Sequence, residues 1–460
     1  MTAAANSALA QHLAEAGISN AGLAHRVITL AAARGLPAPR YNHASVTRWL
    51  RGEQPRGRTP ELLAEIFTAL LGRRVTREEI GMRAAAVPPD LGVVYERDLE
   101  RAVEAATDLY GTDIARRGAL ARSTYTAVAY VVPALRWMTA PASRLGDRAG
   151  TRRVGSANVA AIREVTGTFR RLDNLFGGGY ARTTVVQYLA DEVSPLLRDG
   201  SYSAATGRDL FSAAAEMTLL AGWMAYDLEQ HPIAQRYLIQ ALRLAQAGGD
   251  EALGGEILAA MSCQSAYLGD GRAAVDMARA AAYSARRAGR GALLSESLAT
   301  EAHGHALAGD PRACAAALLG AHRALESADR DSDPGWLAYY DGAYLAAKSG
   351  RALLDSGDPI AAAASMRASL DMRDGFERGH VFNLAVLAGA LLDAGQVEEG
   401  CAAAHEALAA ADGIESARVA GEFGTLAARA RRHGSARPVR ELLPALPSAR
   451  RAGRALPAAR

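Results

Sequence analysis

The sequence predicts an all-α fold, and three observations carry that expectation. Apolar residues recur at helical spacing from end to end, and no sustained apolar/polar alternation bounded by turn residues marks a strand. Half the residues are apolar, only 6% are aromatic, and alanine supplies much of the difference, which suits closely packed helices. From about Ala213 to Arg432, glycine-containing turns also separate alanine-rich helices at a near-regular interval.

At 460 residues the chain has room for two to four domains. Pro88 and Pro89, followed by Asp90, Leu91 and Gly92, form the first clear break. A second lies near Pro141 to Gly155, and a third follows Arg431, where Pro438, Pro444, Pro447 and Pro457 interrupt any long helix. The expected division is an N-terminal helical unit (1–86), a helical linker or start of the repeats (87–212), a repeat domain (213–432) and a basic, mobile tail (433–460).

Within the first unit, Ala8 to Ala16, Asn20 to Ala33, His43 to Arg51 and Pro60 to Leu71 read as four short amphipathic helices. Ser19 or Asn20 and Asn42 supply N-caps, and Gly52 is a C-terminal glycine. Val46, Trp49 and Leu50 fall at i, i+3 and i+4 of the third helix and form its inner face.

Downstream, the turns centre on Gly269, Gly309, Gly357 and Gly395, in steps of 40, 48 and 38 residues. Glycine takes the left-handed position that ends one helix, Asp caps the next, and Pro occupies its first turn, where a missing amide hydrogen costs nothing. Gly222, Ala234 and Ala241 sit where paired helices of a tetratricopeptide repeat approach most closely. Because one pair cannot bury its own apolar face, five to six pairs are expected to stack into a right-handed superhelix.

Charge is distributed unevenly. Residues 1–85 hold eleven Arg against six Glu, and residues 431–460 hold eight Arg against one Glu, so a net +3 conceals two basic ends and an acidic middle. That is what a nucleic-acid-binding module on a solvated body would show, and an unstructured basic tail fits it equally well. Lys348 is the only lysine, an Arg preference that fits GC-rich coding. Cys263, Cys314 and Cys401 are too few and too scattered for a disulfide framework or zinc site, which points to a reducing cytoplasm. The longest uncharged stretches have 14 residues, short of a membrane span, and because Met1 to Ala14 lacks a basic segment ahead of its apolar run and includes Asn6, Gln11 and His12, no secretory signal is expected.

Several chemistry-like patterns are better read as structure. Gly177-Gly178-Gly179 lacks a preceding strand and a Gly-Lys-Ser/Thr, so it reads as a loop between helices. Asp329, Asp331 and Asp333 alternate like calcium ligands, but Pro334 stands where that loop needs glycine. His303 and His305 are two residues apart on a helix, and His405-Glu406 has no second His. No nucleophile-and-base motif occurs, so no enzymatic activity, catalytic residue, metal or cofactor is expected.

Ala21-Gly22-Leu23-Ala24 with Val27, followed by Ser45-Val46-Thr47-Arg48-Trp49-Leu50-Arg51-Gly52, resembles the two central helices of the Xre/Cro-type helix-turn-helix. Together with Phe176–Arg182 and Ala221–Asp227, the chain from 10 to 430 resembles the actinobacterial, Streptomyces-type regulators that join this motif to a C-terminal tetratricopeptide-like domain, the NsdA-like group. The resemblance implies an N-terminal helix-turn-helix bundle followed by a tetratricopeptide-like solenoid. It also implies that the third helix enters the DNA major groove.

By position, Asn42, His43, Ala44, Ser45, Thr47 and Arg48 would lie nearest the DNA, with Arg48 suited to guanine O6 and N7. Arg40, Arg51, Arg56 and Arg58 would meet phosphates. One departure is the long link from Thr29 to Tyr41, with Pro37 and Pro39.

A stripe of Trp336, Tyr339, Tyr340 and Tyr344 at helical spacing reads first as packing between solenoid helices and second as a ligand wall; with Trp223 and Tyr226 these are the candidate effector contacts, and Asp227 and Glu229 the candidate polar partners. The expected function is that of a sequence-specific, homodimeric transcriptional regulator of development or secondary metabolism. Its partner would be double-stranded DNA, and a peptide, small molecule or protein would act on the solenoid. The competing expectation is a protein-interaction adaptor that does not bind DNA.

Overall fold

The computed structural model describes residues 5–446 except 35, 37, 38, 56, 74, 78, 83–86 and 141–144. Arg56, Pro37, the start of the second break and the tail from 447 therefore lie outside the described residues. The chain is all-α and forms two compact units, Met1–Pro88 and Pro89–Arg460.

The first unit contains α1 (Ser7–Glu15), α2 (Asn20–Ala33), α3 (His43–Leu50) and α4 (Thr59–Leu71). Leu9, Leu23, Val27, Val46, Leu63 and Phe67 are fully buried in one core shared by all four. Ser19 caps α2 by accepting from the Gly22 amide, and Gly72, at φ 63°, ends α4 in the left-handed conformation. Of the three residues expected on the inner face of α3, Val46 and Trp49 are buried and Leu50 is only half-buried.

The second unit opens with α5 (Leu99–Ala121), α6 (Val131–Thr139), α7 (Ser156–Phe176), α8 (Gly178–Tyr188) and α9 (Ser194–Asp199). Two short strands, β1 (Arg152–Arg153) and β2 (Gly200–Ser201), pair in parallel with Arg152 opposite Gly200. Six helix pairs follow. They are α10 (Ala204–Asp227) with α11 (His231–Gly248), α12 (Glu251–Tyr267) with α13 (Gly271–Arg287), and α14 (Gly291–Leu307) with α15 (Pro311–Glu326). Next come α16 (Gly342–Asp355) with α17 (Pro359–Ala368), α18 (Glu377–Asp393) with α19 (Val397–Ala410), and α20 (Ala417–Arg431) with α21 (Arg437–Leu442).

Local chemistry explains the repeats. Gly269, Gly309, Gly357 and Gly395 all have φ between 77° and 88°. Asp270, Asp310 and Asp358 cap the following helices by accepting from the amides of Ala273, Ala313 and Ala361. A Cβ on Gly222 would stand 3.0 Å from the Tyr237 Cβ, so glycine there lets α10 and α11 approach closely.

Three boundaries differ from expectation. The first repeat helix begins at Ala204, not near 213, because Ser203 supplies a cap by accepting from Thr206. The segment expected as a mobile tail continues as α21 through Leu442, since Val439 and Leu442 bury their side chains in the core of the last pairs. The aromatic stripe does not lie on one helix: Asp341 caps α16 through the Tyr344 amide, so Trp336, Tyr339 and Tyr340 precede it on a short 3-10 turn and loop.

Residues 87–212 are more than a linker. Helix α5 packs on α11, while α7 packs on both α10 and α18, joining the first pair to the fifth. The glycine run expected as a loop is reduced to the single junction residue Gly177 between α7 and α8. A Cβ on Gly178 would fall 2.5 Å from the Met224 carbonyl oxygen, and one on Gly177 2.7 Å from that of Glu415. These glycines let backbone meet backbone. Gly179 donates to Glu415 O at 2.9 Å, and Glu415 donates back to Phe176 O at 2.6 Å.

Candidate functional site

In the first unit, α3 is positioned at both ends. Asn42 accepts from the Ser45 amide at 3.1 Å while its own amide donates to Ser45 Oγ at 3.4 Å, a reciprocal cap contributing about 1 kcal/mol. The Trp49 ring meets Tyr41 edge-on at 5.0 Å, and the Tyr41 hydroxyl bonds Thr59 Oγ1 at 2.9 Å, which ties α3 to α4. Thr47 Oγ1 donates to His43 O at 3.0 Å and receives the Asn20 amide at 3.4 Å, which ties α3 to α2.

This arrangement sorts the residues expected to meet DNA. Asn42, His43 and Arg48 are exposed on α3, as are Arg40, Arg51 and Arg58 beside it. Ala44 and Thr47 are half-buried. Ser45 is only 3% exposed, and its hydroxyl is spent on the cap, so it cannot reach a ligand; this corrects the sequence reading. Asn42 keeps its Nδ2 group, but its oxygen is likewise occupied. Arg48 Nε lies 3.3 Å from Glu53 Oε2, an exposed pair of small net strength, and among the described residues no hydrogen bond engages its terminal nitrogens. The sequence reading missed the roles of Asn20 and Glu53.

The second unit holds a partly open cavity of about 230 Å³ lined by α7, by the first helix of each of the six pairs and by Met366 of α17. Trp223, Tyr226, Trp336, Tyr339 and Tyr344 line it. Tyr340 does not: it is fully buried with its hydroxyl 3.0 Å from Ser295 Oγ. Asp227 and Glu229, expected as ligand partners, are used internally. Glu229 accepts the Tyr267 hydroxyl, and Asp227 accepts the Gly178 amide at 3.0 Å, the Ser416 hydroxyl at 2.9 Å and Arg378 Nη1 at 3.3 Å.

Carboxyl groups in and around this cavity titrate abnormally. Burial and the nearby Asp227 charge push Asp173 up to about 6 against the pull of Arg378, and among the described residues its buried Oδ1 has no donor. Glu256 Oε1 and Glu296 Oε2 stand 2.8 and 2.7 Å from the Tyr339 hydroxyl. One phenolic proton cannot serve two carboxylates. Burial first, then the repulsion of Glu296, raise Glu256 well above the usual carboxylate range. Lys348 Nζ donates to Cys263 Sγ at 3.0 Å and lies 5.5 Å from the Tyr344 ring centre. Burial opposes its charge, but Cys263, Tyr344 and Glu296 outweigh burial and hold it protonated.

Residues 9–83, which contain most of α1 and all of α2 to α4, match the family described as the SP15 N-terminal domain. No curated protein matches the chain. Among the described residues no cluster of His, Cys, Asp or Glu is arranged to hold a metal ion, and no helix is long and apolar enough to cross a membrane.

Proposed function

We propose that this protein is a sequence-specific DNA-binding transcriptional regulator, with α3 as the helix that enters the major groove and the repeat unit as an effector-sensing and dimerising body. The observation that carries the reading is the two-sided character of α3: Val46 and Trp49 anchor it inward, while His43 and Arg48 stand exposed on the capped helix. A groove-reading helix needs such a rigid scaffold with uncommitted donors facing out. Arg40, Arg51 and Arg58, exposed around it, suit phosphate contacts.

The resemblance to Xre/Cro-type regulators of the NsdA-like group supports the same reading. It brings with it a homodimer on a two-fold operator, a cytoplasmic setting and genes of development or secondary metabolism. For the repeat unit, a partly open cavity with Trp223 and Tyr226 in its wall supports an effector role, with a peptide, a small molecule or a protein as the effector. The test is binding of the full-length protein to the DNA upstream of its own gene beside a random duplex at physiological salt. A regulator binds its site ~10³-fold or more tighter than random sequence. Weak, equal binding to both would favour the protein-interaction adaptor instead.

A further inference from the structure

The cations around the cavity differ in how fully they are satisfied. Arg170 pairs with Glu216 at 2.8 Å, and Arg351 with Asp355 and Glu422, both at 2.9 Å. Arg378 pairs with Asp173 at 3.1 Å and Asp227 at 3.3 Å, and Lys348 has Cys263. Arg418 is the exception. Its nearest carboxylate oxygen, Asp227 Oδ1, is 3.8 Å away and already serves Ser416 and Arg378. Among the described residues its buried Nε has no partner and none of its nitrogens makes a hydrogen bond.

Arg418 is nonetheless deep in the structure, with a side chain only 13% exposed. Aromatic rings surround it: Tyr226 at 4.4 Å, Phe382 at 4.9 Å, Tyr267 at 5.5 Å and Trp223 at 6.0 Å from the guanidinium carbon. Ring faces attract the charge but supply no strong acceptor for the N–H edges. Leaving such donors unmade in a buried site is costly, and a carboxylate would satisfy two of them together. The same rings would stack on a flat apolar body.

We propose that the cavity binds an aromatic carboxylate, with its carboxylate paired to Arg418 and its ring held among Trp223, Tyr226 and Phe382. This deepens the effector role proposed above and rests on it only for the consequence at DNA, because binding is measured without DNA. The experiment is isothermal titration of the full-length protein with 1-naphthoate, 1-naphthamide and 1-naphthylmethylammonium, which share a ring system and differ in charge. The expected result is that 1-naphthoate binds at least tenfold tighter than the amide and tighter still than the cation.

Arg418→Gln is expected to erase the preference for the acid, and Arg418→Lys to keep part of it. Equal binding of acid and amide, preference for the cation, absence of binding at millimolar ligand, or an acid preference that survives in Arg418→Gln each overturn the proposal. Should Arg418→Gln fail to fold by circular dichroism, the comparison of acid with amide on the unaltered protein decides alone. Binding of 1-naphthoate through Arg418 by a protein with no selective DNA affinity would keep this inference and remove the regulator reading. Selective DNA binding without naphthoate binding would do the reverse.

Discussion

Asp227 and Ser416 are 189 residues apart in the chain, yet the Ser416 hydroxyl donates to Asp227 Oδ1 at 2.9 Å. The contact joins the end of the first repeat helix to the start of the last pair. Around it gather Gly178 from the α7–α8 junction and Arg378 from α18, so one carboxylate fastens four separate segments. This seam joins the first and last repeats beside the cavity, which Arg378 lines.

Removing that carboxylate should therefore be expensive. Asp227→Ala leaves the Gly178 amide unsatisfied and strips Arg378 of one of its two carboxylates, at a cost of about 3 to 5 kcal/mol by analogy with broken buried ion pairs. Asp227→Asn keeps the acceptor geometry in part and should cost less. Urea denaturation of the full chain, followed by circular dichroism, measures both, and an Asp227→Ala loss under 1 kcal/mol would show that the seam is held by packing alone.

Stability should also fall as pH rises through the range where Asp173 titrates. Its carboxyl has a pKa of about 6 in the folded protein, against ~3.9 for an unfolded chain. Between these values the folded state holds more protons, so this group's stabilising contribution is complete below about pH 4 and is lost by somewhat above pH 6. Asp173→Asn should flatten that part of the curve of melting temperature against pH. An unchanged slope would place the titration elsewhere.

The carboxyl pair on Tyr339 makes a separate prediction. Burial and the charge of Glu296 favour the protonated form of Glu256, so Glu256→Gln, a neutral isostere of that form, should cost less stability than removing the hydroxyl both carboxyls share. Tyr339→Phe deprives both carboxyls of their shared hydroxyl and should cost about 1 to 3 kcal/mol. Equal losses for the two variants in chemical denaturation would mean that both acids are ionised.

Glu229 has φ 56° where the corresponding turns of the next repeats carry glycine. A left-handed conformation costs a non-glycine residue roughly 1 to 2 kcal/mol, partly offset here by the hydrogen bond from Tyr267. Glu229→Ala keeps the strain and loses the bond, whereas Glu229→Gly loses both. The glycine variant should therefore be the more stable of the two by about 1 kcal/mol in paired thermal melts.

These residues also mark how far the sequence could be read. Gly269, Gly309, Gly357 and the Asp that follows each were legible because the turn needs those residue types locally. The same turn at Glu229 was invisible because glutamate does not mark a left-handed position, although its backbone bonds, from Glu229 to Tyr226 O and from Gln230 to Ala225 O, repeat those at Gly269. Ser45 looked outward by position but turns inward, because its hydroxyl closes the reciprocal cap with Asn42. The aromatic spacing of Trp336 to Tyr344 imitated a helical face, and the cap at Asp341 overrode it. Trp223, Tyr226, Tyr339 and Tyr344 were identified as cavity candidates, but not Arg418, whose significance depends on partners supplied from α10, α12 and α18.

The most direct measurement of the central claim compares the full-length protein with Arg48→Ala on the DNA upstream of its own gene and on a random duplex at physiological salt. The proposed function predicts tight, selective binding that the variant weakens by about 1 to 3 kcal/mol, equivalent to roughly five- to 150-fold. Equal, weak binding to both duplexes, unchanged by Arg48→Ala, would contradict it.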